Sequence, residues 1–142
     1  MPGLKEVIPV CPEPILKQDG AKKNDCELNA FYRFNEKFRQ DHPKLPCIYL
    51  LDGLFSRAPV IRRLQDYAYS HFIIGAKPGD HKYLFDWVSR RGVDELSIEQ
   101  DNGDTHHYQF RNNVPLNETN ADVKVNFLSV RIERASGKGC DQ

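Results

Sequence analysis

Leu45-Pro46-Cys47-Ile48-Tyr49-Leu50-Leu51-Asp52-Gly53-Leu54-Phe55 is the stretch on which the fold turns. An apolar run, Ile48 to Leu51, ends abruptly in a carboxylate and a glycine. Continuous apolar character predicts a strand buried on both faces, as in a parallel or mixed sheet under helices. In such sheets the working groups gather beyond the carboxyl ends of the strands, and Asp52 stands at such an end. Asp-Gly is also a favoured turn pair. The residue types alone therefore leave Asp52 open between a turn residue and a reactive group.

Working outward, Ser56 is expected to cap a helix that tolerates Pro59 in its first turn. Val60, Ile61, Leu64 and Ala68 fall on its inner face, with Arg57, Arg62 and Arg63 outside. His71 to Lys77 reads as a second buried strand, ended by Pro78-Gly79, and Asp80 caps a short helix with Leu84, Trp87 and Val88 inward. Upstream, Asn24 or Asp25 caps a helix to about Gln40, with Leu28, Phe31, Phe34 or Asn35, and Phe38 on one face. Before it, Val7, Ile8 and Val10 among three prolines suggest a short edge strand. Helix, strand, helix, strand, helix argues for an α/β layer. After Gly92 the texture changes. Leu96 and Ile98, the turn Asp101-Asn102-Gly103-Asp104, then Tyr108 and Phe110 predict a hairpin. A polar loop and a long strand from Val123 to Glu133 follow, the strand switching phase between Phe127 and Leu128, which suggests a bulge or cover on both faces.

The totals exclude several classes. A chain of 142 residues is one domain by the usual prior. No apolar run approaches the roughly 20 residues that span a bilayer, so no membrane partner is expected. Met1 to Val10 lacks an apolar leader core. Cys11, Cys26, Cys47 and Cys140 form no C-x-x-C pair, which argues against zinc and fits a reducing cytoplasm. Net charge is zero, but it is unevenly placed. Between Arg57 and Arg91 seven basic residues (Arg57, Arg62, Arg63, Lys77, Lys82, Arg90, Arg91) face three acids (Asp66, Asp80, Asp86). Such a basic middle suits a polyanion, or simply solvated helix faces.

A series of short motifs joins these elements. They are Lys5-Glu6-Val7-Ile8-Pro9, Pro12-Glu13-Pro14-Ile15, Lys17-Gln18-Asp19-Gly20, Lys23-Asn24-Asp25-Cys26-Glu27 with Asn29-Ala30, and Asp52-Gly53-Leu54 with Ala58-Pro59. Lys77-Pro78-Gly79-Asp80-His81, Leu84-Phe85, Asn113-Val114-Pro115-Leu116-Asn117 and Lys124-Val125-Asn126-Phe127-Leu128 continue the series. In this order the chain resembles the DDE transposases of bacterial insertion sequences, over roughly residues 4 to 130.

The resemblance implies an α/β fold. Residues 1–91 would be a partial ribonuclease H-like core, a mixed sheet with flanking helices. Residues 92–134 would be a β-rich insertion, and 135–142 a disordered tail. It also implies two Mg²⁺ ions held by three acids, which clamp the attacking and leaving oxygens of a DNA phosphodiester. Asp52 matches the family's second acid and is the one catalytic and metal-ligating residue expected. The first acid belongs upstream of Lys5 and the third downstream of the β insertion, so a truncated, catalytically incomplete fragment is expected. DNA, the element's ends, is the implied partner. Lys77 and His81, with Arg57, Arg62 and Arg63, are the candidate phosphate contacts. Self-association through an uncovered apolar edge near Asp52 is a further expectation.

Two rivals stand beside this. One is a non-catalytic α/β binding domain of the flavodoxin-like kind, although no G-x-G-x-x-G or G-x-x-x-x-G-K follows any strand. The other is a fragment that binds DNA or intact transposase and interferes with it.

Overall fold

A computed structural model of the chain describes residues 9–15 and 26–135. The apolar run forms β1 (Cys47–Leu51), which pairs in parallel with β2 (Ser70–Ile74). Helix α2 (Ala58–Gln65) makes the crossover between them, and α1 (Glu27–Asp41) precedes β1. Helix α3 (Lys82–Arg91) leads to an antiparallel sheet in the order β3 (Asp94–Glu99), β4 (Thr105–Pro115), β5 (Lys124–Glu133). The protein is thus mixed α/β, with three α-helices and two separate sheets among the described residues.

Helix α2 is the hub, because its apolar residues divide between two clusters. Val60 and Leu64 join Phe31, Tyr49 and Phe55, while Ala58 and Ile61 join Leu84, Val88, Val114, Leu116 and Val123. The second cluster ties α2 and α3 to the near end of the β4–β5 ribbon, where Phe85 meets Phe127 edge to face at 5.6 Å. Residues 9–15 run beside α1, where Arg33 pairs with Glu13 and donates to the Pro14 carbonyl at 3.1 Å.

Several expectations need correction. β1 is not buried on both faces: Ile48 and Leu50 are 62% and 75% exposed, and Ile73 of β2 is 63% exposed. A single helical layer covers the side bearing Cys47, Tyr49 and Leu51, and nothing among the described residues covers the other. Residues 9–15 are irregular rather than a strand, while 5–8 and 16 and the tail from 136 lie outside the described residues. Asn24 and Asp25 also lie outside them, and the N-cap position of α1 is held by Cys26 rather than by either. The N-cap positions of α2 and α3 are held by Arg57 and His81, neither of which makes a side-chain capping bond, each one residue later than expected. Ser56 instead closes a 3₁₀ turn over Gly53–Phe55, and the Asp80 N–H closes a turn onto the Lys77 carbonyl. Ala68 lies past the end of α2 and is exposed.

The hairpin turn falls where its sequence placed it. Gly103 adopts φ +84°, a conformation that costs a Cβ-bearing residue about 1–2 kcal/mol. The bulge lies on β4 rather than β5: Asn112 and Asn113 oppose the single Asn126, and Asn113 takes φ +58°. Asparagine tolerates that left-handed conformation. The extra residue keeps Arg111 and Val114 on the same face, so Val114 and Val125 enter the core together. The phase switch in β5 has a different cause. Val125 and Phe127 pack on the helices, whereas Leu128, Val130 and Ile132 belong to the part of the ribbon beyond them.

Candidate functional site

Asp52 directly follows β1 and is exposed. Its Oδ1 accepts a hydrogen bond from the Leu54 N–H at 2.9 Å, capping the 3₁₀ turn. Beside it the Gly75 N–H donates to the Leu51 carbonyl at 3.0 Å, which extends the pairing past β2. A Cβ on Gly53 would stand 3.4 Å from the Gly75 carbonyl oxygen, so the two strand exits run close together. Because β1 and β2 are parallel, both carboxyl ends open at one edge of the unit. Asp52, Arg57 at the start of α2, Lys77 after β2 and His81 at the start of α3 all belong to that end. Arg57 and Lys77 are exposed and His81 is half-buried.

Arg62 and Arg63 do not join them. Arg62 donates to Asp122 at 2.7 Å and to the Asn120 side-chain oxygen at 3.4 Å, tying α2 to the loop between β4 and β5. Arg63 lies 3.6 Å from Glu36 and 5.4 Å above the Tyr32 ring, tying α2 to α1. Exposed pairs of this kind contribute about 0–1 kcal/mol each. Among the described residues no cluster of three or more His, Cys, Asp and Glu is arranged to hold a metal ion, and no helix is long and apolar enough to cross a membrane.

The polar centre that sequence reasoning missed lies under β1. Arg39 is 5% exposed, and Asn35 is fully buried. The guanidinium donates to the Leu45 carbonyl at 3.0 Å, to the Tyr49 hydroxyl at 3.2 and 3.3 Å, and to the Cys47 sulfur. The Tyr49 hydroxyl in turn donates to Asn35 Oδ1 at 2.6 Å, leaving Asn35 Nδ2 without a partner among the described residues. Phe31, Asn35 and Arg39 recur at four-residue steps, so the helical face was readable. Asn35 was already one alternative for that face, and the charge of Arg39 concealed the other polar member.

Burial pushes the Tyr49 phenol above its ordinary value of 10.0, against the pull of the Arg39 guanidinium. The sign follows directly: the folded state holds this proton more tightly, so its contribution is complete below about pH 10 and is lost as pH rises through the higher folded value. Urea unfolding at pH 8, 10 and 11 is expected to show a steeper alkaline loss for the wild type than for Tyr49→Phe. Equal slopes would contradict the assignment.

On the far ribbon, His106 and His107 face opposite sides of β4. His107 Nδ1 lies 2.9 Å from Ser97 Oγ and its Nε2 lies 3.2 Å from Glu133, while His106 contacts the Tyr108 hydroxyl at 3.2 Å. Ser97 and His107 are register partners, so cross-strand pairing accounts for their contact.

No family model, no curated protein and no solved structure matches this chain.

Proposed function

We propose that this chain is part of a ribonuclease H-like DNA-transposition core of the DDE type. Asp52 stands in the position of one of that core's acids, and the carboxyl end of the β1–β2 unit is its DNA-facing side. The observation that carries this reading is the position of Asp52, an exposed carboxylate directly after the first strand of a parallel β-α-β unit. Ligands of open α/β sheets settle at such ends. Arg57 and Lys77 place positive charge at the same end, while Arg62 and Arg63, further along α2, pair with Asp122 and Glu36.

The described residues do not make up a two-magnesium site. No acid cluster accompanies Asp52 among the described residues. Magnesium needs near-octahedral oxygen coordination, so no cleavage step is assigned to this chain. Supercoiled plasmid incubated with the protein and Mg²⁺ or Mn²⁺ is expected to stay intact. Reproducible nicking that disappears in Asp52→Asn would contradict that.

Binding is the activity that remains. Fluorescence anisotropy with a short labelled duplex is expected to show affinity falling about tenfold or more between 50 and 200 mM salt, the loss for about two phosphate contacts. The double variant Arg57→Ala, Lys77→Ala is expected to bind more weakly and with a shallower salt slope. No binding at 50 mM salt would overturn the proposal.

A further inference from the structure

We propose that the apolar face of the β3–β4–β5 sheet docks a second copy of this chain, the two sheets stacking face to face across a two-fold axis. Register sets three rows on that face: Asp94, Phe110 and Leu128; Leu96, Tyr108 and Val130; Ile98, His106 and Ile132. Leu96, Ile98, Leu128, Val130 and Ile132 are between 41% and 62% exposed, and none of them belongs to either core cluster. All six residues of β3 are exposed. The opposite face carries the polar set, with Glu95, Gln109 and Ser129 in one row and Ser97, His107 and Arg131 in the next. Alternation of this kind marks a sheet with one face meant for burial. Here that face has no cover among the described residues.

Charge and symmetry select the occupant. Strands about 4.8 Å apart, with rows spanning about 20 Å, give a footprint of roughly 300 Å². A patch of that size is already at the scale of functional surfaces on monomers. A standard interface takes roughly 800 Å² per partner. The face therefore forms an apolar centre, and the ends of β4 and β5 supply a polar rim.

An isologous interface must also complement itself, and this one does. With the axis along β4, Leu96 and Ile98 of one copy face Val130 and Ile132 of the other in the same rows, and Asp94, exposed at the end of β3, falls over Leu128 at the margin of the face. The central column of Phe110, Tyr108 and His106 then lies over itself. The nine positions hold one acid and no lysine or arginine, so two copies do not repel and a nucleic acid finds nothing to pair with. Aligned sheets stack about 10 Å apart in this manner.

Sedimentation velocity of the full chain from about 1 to 500 μM tests the proposal. A monomer–dimer equilibrium with a dissociation constant on the order of tens of micromolar is expected, as suits a small apolar centre. Leu96→Glu and Val130→Glu, made separately, are each expected to weaken it at least tenfold. Ser129→Glu, one residue away on the opposite face, leaves it unchanged. All three positions are exposed, and far-UV circular dichroism verifies that each variant is folded. A monomer at 500 μM would overturn the proposal and assign the face to another occupant. So would association that survives Val130→Glu but is lost in Leu50→Glu, because the open face of β1 and β2 would then be the contact.

Discussion

Leu64→Ala is expected to lower the unfolding free energy by about 3–5 kcal/mol, the upper range for a buried leucine. Leu64 is fully buried on α2, against the cluster of Phe31, Tyr49, Phe55 and Val60. Phe31 stands 5.1 Å from Phe55 and 6.1 Å from Tyr49, ring centre to ring centre, and Tyr49 is further held by its hydrogen bonds to Asn35 and Arg39. Rings fixed on several sides cannot collapse into the space left by an isobutyl group, so most of the cavity persists. Domains have about 5–15 kcal/mol in total, so the variant should be largely unfolded at modest urea. Leu50→Ala is the matched control. Leu50 lies on the open side of β1 and is 75% exposed, so its truncation should stay within about 0.5 kcal/mol. Equal losses in the two variants would mean that both faces of β1 are covered.

Arg39→Ala is the second large effect, expected at about 2–4 kcal/mol by urea titration. The side chain is held by packing as much as by hydrogen bonds. Its guanidinium lies 5.1 Å from the Phe38 ring centre, 5.5 Å from Tyr49 and 5.6 Å from Tyr67. Truncation removes these contacts and leaves the Leu45 carbonyl and the Tyr49 hydroxyl short of a donor in a confined space. Arg39→Lys keeps the charge but not the planar fork, so it should recover only part of the loss. Full recovery by lysine would show that charge alone matters there. A loss below about 1 kcal/mol for alanine would show that the network is incidental.

Local chemistry was legible where it was unambiguous. The run ending at Asp52-Gly53 gave a strand and its exit, and Asp101 to Asp104 gave a turn because Gly103 alone meets its backbone demand without strain. Helix starts were one residue off because Ser56 and Asp80 suit caps and turns equally well, and tertiary packing decided between the two. The open face of β1 was not legible, since a continuous apolar run reads the same whether one side or both are covered. Nor was the Arg39 centre: an arginine on an aromatic helix face looks like a surface residue until the strand that buries it is placed. Of the candidate site, the gathering of Asp52, Arg57, Lys77 and His81 follows from parallel pairing. The pairing of Arg62 with Asp122 and of Arg63 with Glu36 was not legible, because no spacing rule connects them.

The proposed function turns the carboxyl end of the β1–β2 unit toward DNA. Titration of the ¹⁵N-labelled chain with a short duplex at low salt tests it most directly. Amide shifts are expected to concentrate at residues 52–57 and 75–81 and to fade as salt is raised. Shifts confined to the β3–β4–β5 sheet, or none at millimolar duplex, would contradict it.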